Sequence, residues 1–150
     1  MNSKANQQWT FHNKMVGKVR EALDVKGGKI KTLNKGEKAI KVADFMLDGH
    51  YIKVKAVHKS QTHCLFEIYN EGNQSWFLRT RARYVAYVIQ ESSKAYMINI
   101  LGVKDYISNP HNAVILYETE FGTKAYMLSI ETLQEQSLIT DVLHLELKND

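Results

Sequence analysis

One stretch constrains this chain more than any other. From Ala43 to Tyr69 it reads ADFMLDGHYIKVKAVHKSQTHCLFEIY. An apolar run carrying Asp44 reaches Asp48-Gly49, a dipeptide that supplies the positive φ angles of a two-residue hairpin turn. Tyr51 to Val57 then alternates strictly, with Tyr51, Lys53, Lys55 and Val57 on one face and Ile52, Val54 and Ala56 on the other. After the polar connection HKSQT, Cys64 to Tyr69 forms a third strand. If the second and third strands pair as an antiparallel hairpin, Glu67 falls near Lys53 and Leu65 near Lys55. A slip of one residue would undo that register.

The remaining chain reads as α+β: an N-terminal helix, a central mixed sheet and short later helices. Residues 5–24 repeat Trp9, His12, Val16, Val19 and Leu23 near helical spacing, with Met15 and Ala22 beside them, so the helix turns this stripe to a core. Gly27-Gly28 ends it. The lysine-rich segment 26–41 holds little apolar matter and reads as a loop. Residues 75–83, SWFLRTRAR, place Arg79, Arg81 and Arg83 at alternate positions, as on a strand face. Tyr84–Ile89 is a buried strand, and AYMINI is another. Leu101–Ile107 is a helical turn or two, broken before Pro110. Ala113–Thr119 and Lys124–Ile130 are strands around Phe121-Gly122. Glu131–Leu138 is a short helix capped by Ser129, and Val142–Leu147 is a final strand or helix.

At 150 residues one domain is expected, and it buries a core without help from metal or disulfide. The single cysteine, Cys64, closes no internal disulfide, which favours a reducing compartment. No apolar run approaches a membrane span, and the first residues lack the apolar centre of a signal peptide. A soluble, cytoplasmic protein is expected. Charge is unevenly spread. Residues 1–60 hold 13 Lys+Arg against 5 Asp+Glu, and residues 61–150 hold 7 against 11. A basic first half points to a polyanion partner or to a solvated lysine-rich surface.

The order helix, strand carrying Asp, turn, strand with an acid-x-Lys position (here Lys53-Val54-Lys55), then a further strand resembles the core of the PD-(D/E)xK nuclease superfamily. The run from ADFMLDGHYIKVKAV through CLFEIYNEGNQSWFLRTRARYVAYV to KAYMIN resembles small phage-type members, over about residues 40–130. What the resemblance implies is a restriction-endonuclease-like core in which carboxylates hold Mg2+ or Mn2+ beside a scissile phosphate. Asp44 matches the first acid and Lys55 the motif lysine. Glu21 matches a helix glutamate used by some members. The central acid, however, is Lys53 here, and the family's Ala-Asp-Tyr segment is Ala82-Arg83-Tyr84. Both changes replace a carboxylate with a cation.

Three functions follow from this pattern. A metal-dependent endonuclease would use Asp44, Lys55 and Glu67, with Asp44 and Glu67 as metal ligands. A catalytically dead module would instead bind DNA or RNA phosphates through Lys14, Lys18, Lys53, Arg79, Arg81 and Arg83. A third use of such a fold is to bind a host protein as an inhibitor; a homodimer is a further expectation. Plainer readings stand beside these. Asp44 serves equally as a strand-end cap, Lys53 and Glu67 as a cross-strand ion pair, and the arginines as a charged sheet edge. Trp76 reads as core. His58, His63 and Cys64 lack a fourth zinc ligand, and Cys64 reads as buried.

Overall fold

A computed structural model describes residues 3–147. It is α+β, with one long helix, a mixed six-stranded sheet, a second four-stranded sheet and short later helices. No helix among the described residues is long and apolar enough to cross a membrane.

Helix α1 (Ser3–Val25) buries Met15, Val19 and Leu23 at four-residue spacing. Phe11, Val16 and Ala22 pack beside them. The expected stripe is right in its second half only. Residues 3–10 are exposed, and Trp9 keeps 66% of its surface in solvent. The helix outruns the core it covers, so its first turns have no apolar surface beneath them.

Segment 26–41 is not the expected loop. Ile30–Thr32 forms β1, and Lys35–Lys41 forms helix α2. Asn34 caps α2 by accepting the Glu37 N–H through Oδ1 at 2.8 Å. Leu33 is buried between the two elements. A cap residue and two apolar side chains, Ile30 and Leu33, suffice to order a lysine-rich stretch.

β2 (Phe45–Leu47) and β3 (His50–Val57) are the expected hairpin around Asp48-Gly49, whose φ angles are 49° and 84°. β4 (His63–Asn70) does not join them. β3 is flanked by β2 and, in parallel, by β6 (Tyr84–Ile89), from Ile52↔Tyr84 to Val57↔Ile89. β4 lies in the second sheet between β5 (Asn73–Gln74) and β9 (Lys124–Ser129). The expected β3–β4 ladder is therefore absent. The parallel neighbour fills one side of β3, and residues 58–62 carry the chain across to the other layer.

The six-stranded sheet runs β1-β2-β3-β6-β7-β10, with β7 at Lys94–Asn99 and β10 at Ile139–His144. The second runs β5-β4-β9-β8, with β8 at Ile115–Glu118. Two cores follow. One joins α1 to Phe45, Ile52, Val54, Ala86, Val88 and Leu143 on one face of the larger sheet. The other lies between the sheets, where Val85, Tyr87 and Ile98 meet Phe66, Leu128 and Trp76. Tyr87 links the layers, its Oη accepting the Leu65 N–H at 3.2 Å. Its phenol titrates above the ordinary range because it is buried.

Helix α3 (Trp76–Arg79) takes in only the first of the three arginines, and Arg81 and Arg83 follow it in an irregular segment before β6, so the strand face considered for them is not formed. Trp76 and Phe77 point into the core, as expected for Trp76, and this anchors a single helical turn. Helix α4 (Ile100–Ser108) follows β7 directly, and helix α5 (Ile130–Glu135) is capped by Ser129 Oγ, which accepts the Thr132 N–H at 2.9 Å. Residues 139–144 are strand, so the final element is a strand that begins and ends three residues earlier than the expected Val142–Leu147, with 145–147 irregular.

Candidate nucleic-acid interface

Asp44 sits one residue before β2, and its position answers a backbone problem. β2 pairs with β3 only as far as Phe45↔Ile52. Beyond that, β3 has an open edge. The Asp44 N–H donates to the Ile52 carbonyl at 2.8 Å, and its Oδ2 accepts the Val54 N–H at 2.7 Å. The carboxylate thus stands in for the missing strand. The imidazole of His12 on α1 donates from Nε2 to Asp44 Oδ1 at 2.9 Å, and Lys53 Nζ lies 3.8 Å from Oδ2. Asp44 and Lys53 side chains retain only 12% and 18% exposure.

Burial is the largest influence on Asp44 and by itself would raise its pKa. The His12 hydrogen bond, the charge of Lys53, the charge of His12 and the Val54 N–H together outweigh it. The carboxyl is held below its ordinary value.

Two residues along β3, Lys55 Nζ meets Glu67 Oε1 at 3.1 Å, while Ser75 Oγ donates to Oε2 at 3.2 Å. Glu67 therefore pairs with Lys55, not with Lys53 as the expected hairpin implied. Its partner is reached between sheets rather than across a ladder. His12 lies between the two pairs, lining a cleft with each.

The first cleft, about 400 Å³, is lined by Trp9, His12, Asp44, Lys53, Lys35, Lys38 and Arg79, four permanent cations against one carboxylate. Among the described residues no carboxylate pairs with Lys35, Lys38 or Arg79. Two backbone devices hold this wall. Thr80, the buried polar residue beside Arg79, donates from Oγ1 to the Val42 carbonyl at 2.6 Å, and the Arg81 N–H donates to the Lys41 carbonyl at 2.8 Å. They fasten the end of α2 to the end of α3. Val42 closes α2 at φ 48°, a conformation a β-branched residue adopts only under such constraint.

The expected site residues separate into groups. Asp44, Lys53 and Arg79 share the first cleft, and Lys55 and Glu67 share the second. Arg83 donates from Nη1 to His50 Nε2 at 3.1 Å and lies over the Tyr84 ring at 5.4 Å, at the far end of β3. Arg79, Arg81 and Arg83 are all exposed but do not alternate along a strand. Glu21 and Lys18, 3.8 Å apart, line a separate depression with His144 and Glu146. The α1 residue that meets Asp44 is His12, nine positions before Glu21, and Lys14 is likewise further along the helix. Sequence reasoning missed His12, Trp9, Lys35 and Lys38 as site residues. Their signal was the three-residue spacing of Trp9 and His12, which puts both on one helix face.

A divalent ion of the Mg2+ or Mn2+ type needs hard oxygen donors. Both Asp44 oxygens already accept hydrogen bonds, and the Lys53 ammonium lies 3.8 Å from one of them. Glu67 is held by Lys55 and Ser75. No group of three His, Cys, Asp or Glu among the described residues is arranged to hold an ion. The donors present do not fit the metal. Cys64 supplies no nucleophile: burial pushes its thiol up to about 12. No family model, curated protein or solved structure matches the chain.

Proposed function

We propose that this chain is a nucleic-acid-binding protein built on a degenerate PD-(D/E)xK-like core, with the first cleft receiving phosphates. One observation carries the reading. Where a nuclease of that type needs a second carboxylate, Lys53 neutralises Asp44 from 3.8 Å, and the cleft around them is cationic. Replacing an acid by a base removes an ion ligand and supplies a phosphate contact in one step. The phosphate backbone dominates such affinity and makes it depend on salt.

The test is a binding and cleavage series on supercoiled plasmid, single-stranded DNA and a branched junction, with magnesium or manganese. Binding without cleavage is expected. Its affinity should fall with salt at a logarithmic slope of about −3, as four cations displace counterions. Metal-dependent cleavage that disappears in Asp44→Ala would replace this reading with an active endonuclease. Binding that is absent or insensitive to salt would remove nucleic acid from consideration.

A second reading, binding of a protein, is favoured by the edge strand β8. All four of its residues are exposed, Ile115, Leu116 and Tyr117 among them, and Phe121 protrudes from the adjoining turn. An unguarded apolar edge is a template for an added strand. Sedimentation of the wild type beside Leu116→Lys checks its simplest form, a homodimer.

A further inference from the structure

We infer that the first cleft selects single-stranded nucleic acid, by stacking one unpaired base on Trp9 while the neighbouring phosphates lie on Lys53, Lys35, Lys38 and Arg79. This rests on the nucleic-acid reading above and goes further, to the form of the ligand.

The two tryptophans have opposite fates. Trp76 is 7% exposed and packs on Phe66 and Phe77. Trp9 is 66% exposed and lines a cationic cleft. Its surroundings are Ala5, Gln8, His12 and Lys53 and, within the cleft, the small apolar side chains of Ala39, Val42 and Ala43, which together leave two-thirds of the indole in solvent. Its ring is nonetheless held. The His12 imidazole lies 6.3 Å from it, centroid to centroid, with planes 25° apart, and Asp44 fixes that imidazole. The imidazole, tied to the sheet through Asp44, thus lies beside the indole, offset from it, and two-thirds of the indole surface remains open to solvent.

A supported aromatic face beside a row of cations is what a flexible strand recognises. Every base has a π-face, and stacking on an aromatic side chain is tolerant of sequence. In a duplex those faces are already covered by neighbouring bases. The duplex therefore offers this cleft only its phosphates, whereas an unpaired strand offers both. A cleft of about 400 Å³ falls in the range of sites that hold small ligands and so has room for a nucleotide.

The experiment follows Trp9 emission in a Trp76→Phe background. Trp76 Nε1 has no hydrogen-bond partner among the described residues, so that change removes an unsatisfied donor. The protein is titrated with ten-nucleotide single strands of dT and of rU, and with a duplex of equal length. Quenching by the single strands and roughly tenfold tighter binding than to the duplex are expected. Trp9→Ala should lower single-strand affinity about tenfold or more and leave duplex affinity unchanged, with Trp9→Phe retaining most of it. The dT and rU arms should both quench, since stacking on an aromatic side chain tolerates either base and either sugar. If Trp9→Ala leaves single-strand affinity intact while Lys38→Ala with Arg79→Ala abolishes it, stacking is wrong and the phosphate reading survives. If neither variant alters binding, both fail.

Discussion

Two acid–lysine pairs stand two residues apart on β3, and they are built differently. Asp44 and Lys53 come from the two arms of one hairpin. The carboxylate there does three things: it ends a strand, holds a helix through His12 and partners a lysine. Glu67 reaches Lys55 from the other sheet and, among the described residues, accepts otherwise only from Ser75. The first pair completes a backbone ladder. The second records that two layers came together. An acid with a backbone duty has a structural reason to be there, so the presence of Asp44 beside Lys53 needs no metal to explain it.

The sharpest break is at Asp44. Asp44→Ala leaves the Val54 N–H, the His12 ring N–H and the Lys53 ammonium without their acceptor in a nearly closed corner. It should cost about 3 kcal/mol in urea unfolding. Asp44→Asn, which still accepts from Val54, should cost less. Equal losses would show that the charge, not the backbone contact, is what matters.

Lys53→Glu tests the corner from the other side, with a smaller cost of about 2 kcal/mol from opposed carboxylates. Thermal unfolding of this variant should shift upward with millimolar Mn2+, because two acids then face one another, whereas the wild type should not respond. Its affinity for nucleic acid should drop as well. A manganese response in the wild type would overturn the account of the donor set.

Acid should separate the pairs further. The Asp44 carboxyl titrates lower in the folded chain than its ordinary value of 3.8. Its contribution to stability is therefore fully present above that value and is lost as pH falls through the lower folded one. Stability measured below about pH 4 should fall more steeply in the wild type than in Asp44→Asn. Parallel curves would contradict the depressed value. The smallest effect is expected at Glu67→Gln, below about 1 kcal/mol, since both ends of that pair keep contact with water. A double-mutant cycle with Lys55→Ala measures the coupling.

Much of the local structure could be read from residues alone. Asp48-Gly49 is a turn because both positions take positive φ, and Ser129 caps α5 because its hydroxyl meets the first free N–H groups. Trp76 and Cys64 are core, as their apolar neighbours implied. Pairing was harder. Alternation in β3 and β4 showed that each is a strand but not that they part company, since short connections normally join adjacent strands. Trp9 looked like core because helical spacing records a face, and says nothing of where the surface beneath that face ends.

The sequence by itself determined the α+β class, the long first helix, the Asp44 hairpin and the placement of Lys53 and Lys55 on one face of β3. These depend on periodicity, turn chemistry and residue type, which act over a few positions. Only the tertiary structure decided that Glu67 pairs with Lys55, that His12 holds Asp44, and that Trp9, Lys35, Lys38 and Arg79 surround one cleft. Each of those contacts joins residues brought close by layer packing, and no local pattern encodes how layers meet.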